Sequence, residues 1–537
     1  VPLDYKNPNA SEASIALIRS PASVPRNSTN YRGPILFNPG GPGGSGVDFI
    51  LQGNPLFRAI IGPEFDLIGF DPRGIARSLP RASFFATQEE RVQFPTEISF
   101  NASQDAFGRS YANDILRTSL AGARDDGSLR FITTESTARD MLKIVQAHGR
   151  DKLQYWGFSY GTVLGATFAA MFPDKVERLI IDGVMDADDY YSTSWKTNLI
   201  DTNKTWNTFL DGCVTAGPSA CAFHENSTFA IQAKVDLLEQ QLLSRPITAS
   251  TSLSASTPSY RVLDYSTFRQ TILDVLYSPY QGFQSLTLAL NELSQGNGTA
   301  FLQLSNAEGS VTPLFQCLAN ASIAESSQFE LQSVFDGEVS VACNDGSSIS
   351  TDFDDVRKNF EELCQSSPFC DVWGTRMYCL GWPEYLKNNF TGQCPFNFAG
   401  ANTSFPLLVI SNTADPVTPR ADGLKMASQF AGSVHLTQNS PGHCSLVAPS
   451  TCTASHVAAY FTNGTLPDPG TICEVDATAQ LFPTQTAKDE AAKTNGKRTL
   501  VRSAKFVKKT REEQLSETLQ NLAHTVPKMF KHRGRYL

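Results

Sequence analysis

At 537 residues and 58.6 kDa, with 41% hydrophobic and 18% charged residues, the chain has a globular composition and room for roughly two to four structural units. Its net charge of −9 hides an asymmetry: residues 488–537 hold 13 Lys and Arg against 5 Asp and Glu (+8), so the remainder carries −17. A body that acidic, without an RNP, zinc-finger or basic helix-turn-helix signature, excludes a nucleic-acid binder, and the lack of any run of eighteen apolar residues excludes a membrane-spanning helix.

Residues 13–18 read as a strand, and 33–38 (GPILFN) as a buried strand running into NPGGPGGSG. A further strand, 65–70 (FDLIGF), ends at Asp71-Pro72-Arg73-Gly74. An amphipathic helix is predicted over 134–148, then a short strand over 152–157, a helix from Ser159 through Ala170, and a strand over 176–182. Strands that alternate with helices imply an α/β fold with a mainly parallel sheet covered on both faces. From about 186 to 400 helical patterns such as 230–243 and 268–276 are separated by Ser/Thr-rich and Cys-rich stretches, which predicts a mostly helical lid inserted over the sheet. Strand signals return at 405–412 (FPLLVISN) and 433–437 (SVHLT), flanking a helix near 421–430. The expected units are therefore a core in two parts, 1–185 and 401–475, a lid at 186–400, and a basic tail at 476–537. In that tail 477–497 reads as a linker and 511–522 as an isolated helix, with a solvated, poorly ordered extension expected overall.

Within YWGFSYGTVLG, Gly157-Phe158-Ser159-Tyr160-Gly161 is a G-x-S-x-G pattern between a short strand and a small-residue helix. That is the setting of a nucleophile elbow, where flanking glycines permit a tight turn that exposes the Ser Oγ above the sheet. The competing reading of Ser159 is a helix N-cap. A serine nucleophile needs a base, and the base an orienting carboxylate, here in the order Ser, acid, His. Asp415, just past the 405–412 strand in SNTADPVTP, is the acid candidate, with Asp422 as a weaker one inside a helix. Of the histidines beyond it, His435 falls in a strand and His456 in a helical pattern, so both read as structural, whereas His443 sits in a loop after a strand. Oxyanion donors are expected from the N–H groups of Tyr160 and of Gly41 in the glycine run after 33–38. GGPGGSG lacks a following GK[ST] and is rejected as a phosphate loop. No cofactor or metal is expected.

Together VPLDY, NPGGPGGSG, GFDPRGIARS, FITTESTARDM, YWGFSYGTVLG, FPDKVERLIIDGV and the late ADPVTP, GHC and YFTNGTLPDPGTIC resemble secreted tripeptidyl-aminopeptidase-like α/β-hydrolases, relatives of the prolyl-aminopeptidase serine peptidases. The resemblance covers residues 1 to about 475, with a loose middle, and the tail departs from it. It implies an α/β-hydrolase fold, a triad of Ser159, Asp415 and His443, an oxyanion hole near Gly41, and a C-terminal module over 443–473 with Cys452 bridged to Cys473. The implied partner is a peptide whose N-terminal tripeptide or single residue is removed. Glu135, Asp345 and Glu384 are the acidic candidates for binding its ammonium group, each also readable as a solvated or structural carboxylate.

Eleven cysteines without a C-x-x-C pair point to structural disulfides in an oxidising compartment, and their odd number leaves at least one outside any intrachain pair. Ten N-x-S/T sequons, at Asn9, Asn27, Asn101, Asn203, Asn226, Asn297, Asn320, Asn389, Asn402 and Asn463, agree with a secreted N-glycoprotein. The opening VPLDYKNP shows neither an initiator Met nor a charged-then-apolar leader. Two rivals to an exopeptidase remain at this stage: an esterase or lipase on the same triad, and a non-catalytic binding glycoprotein that keeps the hydrolase fold. Oligomeric state is left open.

Overall fold

The computed structural model describes residues 1–94, 99–250, 260–308, 327–385, 398, 400–483, 511–523, 526 and 529. Eight strands form one sheet: β1 (Leu17–Ser20), β2 (Gly33–Asn38), β3 (Phe65–Phe70), β4 (Leu153–Phe158), β5 (Val176–Asp182), β8 (Leu408–Ala414), β9 (Val434–Pro441) and β10 (Ile472–Glu474). Their spatial order is β1-β3-β2-β4-β5-β8-β9-β10; β1 runs antiparallel to β3, and every other pairing is parallel. A separate antiparallel hairpin, β6 (Ile247–Ser250) and β7 (Tyr260–Leu263), lies between β5 and β8 in sequence.

Central strands β2, β3 and β4 are buried along their whole length because helices cover both faces of the sheet. Successive side chains then feed two different cores. Leu36, Tyr155, Leu179 and Val409 join one, while Phe37, Trp156, Ile180 and Leu408 join the other. In the second core Phe37 and Phe57 stand 4.6 Å apart between ring centroids, and Trp156 and Phe158 5.0 Å apart. The segment between β5 and β8 has an apolar core of its own, built on residues such as Phe209, Phe268, Leu286 and Leu290 from three different helices.

Register decides what the carboxyl ends of the strands bring together. Asn38 pairs with Gly157, Phe158 with Asp182, Asp182 with Ile410, and Ala414 with Pro441. The residues that follow these strands therefore converge on one edge of the sheet. The strand order reverses between β2 and β4, the position where open α/β sheets form their crevice.

The structure departs from the sequence reading at several places. The first strand lies at 17–20, because the chain around Ser14 instead bridges Leu79 outside the sheet. β9 runs on to Pro441, and β10 and the β6–β7 hairpin were not expected, since strands of three or four residues are too short to show an alternation. The helix Arg511–Leu522 is not isolated. Leu519, Val526 and Met529 are buried in the core that also holds Phe57 and Trp156, and Ser516 Oγ donates to Asp476 at 2.9 Å. Of the expected tail, 484–510 lies outside the described residues.

Candidate active site

Ser159 is the single residue between β4 and the helix Tyr160–Met171. Its backbone is left-handed, φ 56° and ψ −124°, a conformation that costs a non-glycine residue on the order of 1–3 kcal/mol. Its N–H donates to the Asp182 carbonyl on the neighbouring strand at 3.0 Å, which anchors the turn. The Ser159 side chain makes no capping bond to the helix, so the N-cap reading finds no hydrogen bond to support it. Gly157 has no room for a side chain: a Cβ there would stand 2.3 Å from the Gly161 carbonyl oxygen.

Asp415 directly follows β8 and is fully buried. Its Oδ1 accepts from the N–H groups of Val417 (3.1 Å) and Thr418 (2.9 Å), and its Oδ2 from that of Cys444 (2.9 Å). His443 Nδ1 lies 2.9 and 3.0 Å from the two carboxylate oxygens. Burial by itself raises the Asp415 carboxyl, but the charge and hydrogen bond of His443 and the backbone donors outweigh it and hold the group below the usual carboxylate range. A carboxylate that is ionised can only accept, so the proton of neutral His443 belongs on Nδ1 and its Nε2 is left basic. Thr418 Oγ1, 3.1 Å from the same Nδ1, flanks the pair.

The His443 turn is held from both sides. Asn412 Nδ2 donates to the carbonyls of Gly442 and Cys444, each at 2.8 Å, while Asp182 Oδ1 accepts from the Ser445 N–H at 2.8 Å. The His443 N–H donates to the Tyr277 carbonyl at 2.9 Å, and the two rings meet edge to face at 5.1 Å. Asn412, Asp182, Thr418 and Tyr277 were not singled out from the sequence. Asn412 and Asp182 do lie at the ends of predicted strands, which is the only local signal they carry.

Ser159, Gly41, Thr418 and Tyr277 line one partly open cleft with about 580 Å³ of empty space. Gly41 has φ 116°, and a Cβ there would stand 2.6 Å from the Gly43 nitrogen, so this close approach of backbone to the cleft requires glycine. Tyr160 begins its helix, so its N–H is one of the first-turn donors that intrahelical bonding leaves over. The three acidic candidates are elsewhere. Glu135 pairs with Arg139 at 2.9 Å, Asp345 accepts from the Thr134 N–H and the Tyr190 hydroxyl at 2.9 and 2.8 Å, and Glu384 is exposed. None of the three lines the cleft; the acid that does is Glu338. Asp422 takes its hydrogen bonds from Thr197 and from the Asp186 N–H, not from a histidine. His435 sits in β9, where burial, then Arg420, pushes it down to about 4, so it stays neutral as a core residue.

The family model described as TAP-like protein matches residues 366–473, a span that holds both Asp415 and His443. Serine protease Hip1 of Mycobacterium tuberculosis (strain ATCC 25618 / H37Rv) is 27% identical over 485 residues, covering 88% of this chain and 86% of that protein. This chain is a serine hydrolase of the α/β-hydrolase fold with a TAP-like module. The tripeptidyl aminopeptidase of Streptomyces lividans is 33% identical over 192 residues, 35% of this chain and 34% of that one. Carboxylesterase B of Mycobacterium tuberculosis (strain ATCC 25618 / H37Rv) is 27% identical over 488 residues, 88% and 85% of the two chains. Among solved structures, MGS-M2, an alpha/beta hydrolase enzyme from a Medee basin deep-sea metagenome library, overlays with a TM-score of 0.35 at 11% identity, covering 86% of this chain and 98% of that one.

The TAP-like module of this hydrolase also contains the Cys452–Cys473 disulfide, which ties the helix Thr451–Asn463 to β10. Three further disulfides, 213–221, 343–379 and 364–370, lie between β5 and β8, and Cys444 is a buried thiol beside His443. Cys317 and Cys394 lie outside the described residues. No helix among the described residues is long and apolar enough to cross a membrane.

Proposed function

We propose that the protein is a secreted serine exopeptidase that removes N-terminal tripeptides or single residues through an acyl-enzyme on Ser159. One observation carries the catalytic part: a serine on a left-handed elbow opens into the cleft whose wall contacts the Asp415–His443 pair. In this reading His443 Nε2 takes the Ser159 proton as Oγ attacks the substrate carbonyl, and Asp415 stabilises the imidazolium that forms. The N–H groups of Gly41 and Tyr160 receive the oxyanion. His443 then returns the proton to the leaving amine, and a water deprotonated by His443 releases the acyl group. The peptidase assignment leans on the likeness to Hip1 and to the tripeptidyl aminopeptidase. A second reading, an esterase on the same residues, is favoured by the equal identity to carboxylesterase B. The division into a two-part core, a lid over 186–400 and a C-terminal extension belongs to this proposal, with the separate apolar core of the lid in its support.

Kinetics on matched tripeptidyl amides, aminoacyl amides and short acyl esters decide the substrate class. Amide cleavage that disappears in Ser159→Ala, together with covalent fluorophosphonate labelling of the wild type alone, is expected; ester turnover without amide cleavage would remove the peptidase. For the extracellular placement, the disulfides agree, and all eight described sequon asparagines are exposed. Glycosidase treatment of the protein from its native source is expected to lower its mass, and an unchanged mass counts against N-glycans.

A further inference from the structure

The backbone on either side of the Ser159–Tyr160 peptide is tied to its neighbours. The Ser159 N–H donates to the Asp182 carbonyl at 3.0 Å, and the Gly161 carbonyl accepts from the Tyr155 hydroxyl at 2.8 Å. The side chain of Tyr160 supplies a third anchor. It is buried, and its ring stands 5.7 Å from that of Tyr190. Its hydroxyl meets the hydroxyl of Thr134, the first residue of the helix Thr134–Ala147.

Thr134 settles which way that bond runs. Its single hydroxyl hydrogen goes to Asp345 Oδ2, and a carboxylate can only accept, so Tyr160 Oη donates to Thr134 Oγ1. The same carboxylate accepts from the Thr134 N–H on Oδ1 at 2.9 Å and from the Tyr190 hydroxyl on Oδ2 at 2.8 Å. One carboxylate thus ends the chain Tyr160–Thr134–Asp345 and also holds the ring packed beside Tyr160. Thr134 and Tyr190 are both buried, and a hydrogen bond screened from water restrains its partners more strongly than an exposed one.

Asp345 is itself fixed in place. It ends the helix Ser327–Asp345, and the adjoining Asn344 Nδ2 donates to the carbonyls of Leu129 and Ile132 at 2.7 and 3.0 Å. Trp382 Nε1 donates to Asn344 Oδ1 at 2.9 Å, and Cys343 is bridged to Cys379. A residue of the insertion therefore reaches the elbow without lining the cleft.

We infer that Asp345 is a positioning residue for the oxyanion hole: through Thr134 it locks the Tyr160 side chain and, with it, the Tyr160 N–H. This rests on the proposed hydrolase reading and adds to it a group that acts from outside the cleft. A donor to the oxyanion tolerates little displacement, so the effect falls on the transition state rather than on substrate binding.

Asp345→Asn, Tyr160→Phe and the double variant test this, with rates taken per active site counted at the end-point of fluorophosphonate labelling. Whichever amide or ester the wild type turns over serves as substrate. Each single variant is expected to lose about tenfold in kcat with KM within about twofold of the wild type. The double variant is expected to lose no more than about twofold beyond Tyr160→Phe, because both changes cut one chain. Losses that multiply in the double variant, a loss confined to KM, or a single variant with wild-type kcat overturns the positioning role. Where Asp345→Asn does not fold, Thr134→Val and Thr134→Ser decide. The first, without a hydroxyl, is expected to reproduce the loss and the second to restore kcat, while equal rates overturn the role. A wild type that hydrolyses esters alone removes the peptidase reading and leaves this test intact. A wild type that neither turns over substrate nor labels removes the hydrolase reading, and the positioning role with it.

Discussion

Asp182 and Asp415 show how neighbouring buried carboxylates are given opposite states. Asp415 meets a histidine and three backbone donors and stays ionised. Asp182, also fully buried, is pushed up to about 7 by burial; the hydrogen bonds from Ser445 and Trp156 oppose the shift, and the charge of Asp415 adds to it. Unfolded, an aspartate titrates near 4, so between about pH 4 and 7 the folded chain keeps a proton that the unfolded chain has released. Stability from this group is therefore greatest below pH 4, falls as pH rises to about 7, and is level above, a change on the order of 4 kcal/mol. Asp182→Asn carries no titration, so whatever constant cost its amide brings, its melting temperature relative to the wild type is expected to climb from pH 4 to 7 and then plateau. A difference that stays flat across that range would show that Asp182 is not held protonated.

At the scale of elements, the site depends on a strand-to-helix turn with no spare volume. Ala at 157 must push against the Gly161 carbonyl and against Tyr155, whose Cε1 would lie 2.4 Å from the new Cβ. Gly157→Ala is expected to cost on the order of 1–3 kcal/mol in denaturant unfolding and to lower turnover by displacing Ser159. Gly108, in the helix Ala106–Arg124, makes the control: its Cβ would meet nothing within 4 Å, and Gly108→Ala should be neutral or stabilising by up to about 1 kcal/mol. Equal effects at the two positions would contradict the steric account. The elbow was legible in sequence because all its parts are consecutive: an apolar run, two glycines around a serine, and a small-residue helix. Asp415 and His443 were legible for a related reason, since each sits in a loop that follows a strand signal, 405–412 and 433–437, in the chain order the triad needs. Asn412, Asp182 and Thr418 were not, because their part is set by what the adjoining strand or turn places opposite them.

For the molecule as a whole, the helix Arg511–Leu522 near the C-terminus is part of the packed structure. Leu515, Leu519 and Leu522 make an apolar stripe on the helix Arg511–Leu522, and the stripe rests on the core together with Val526 and Met529. Met529 fills the space beside Gly53, where a Cβ would be 2.4 Å from its Cε, and Gln281 Nε2 reaches the Ala523 carbonyl at 3.3 Å from the insertion. Each fully buried apolar side chain contributes roughly 1.5–3 kcal/mol, so deleting 511–537 is expected to lower stability by on the order of 5 kcal/mol and the melting temperature by several degrees. An unchanged melting curve would restore the solvated, poorly ordered extension that charge and composition suggested.

The sequence alone determined the class of fold, the order of the main strands along the chain, the elbow at Ser159 and the candidates Asp415 and His443. Each of these follows from periodicity, turn chemistry or chain order, which act over a few residues. Tertiary structure alone decided that the late helix docks, that Glu135, Asp345 and Glu384 do not line the cleft, and that Glu338 and Asn198 line it with Ser159. A cleft is bounded by side chains from distant parts of the chain, and no local pattern records which of them end up opposite one another.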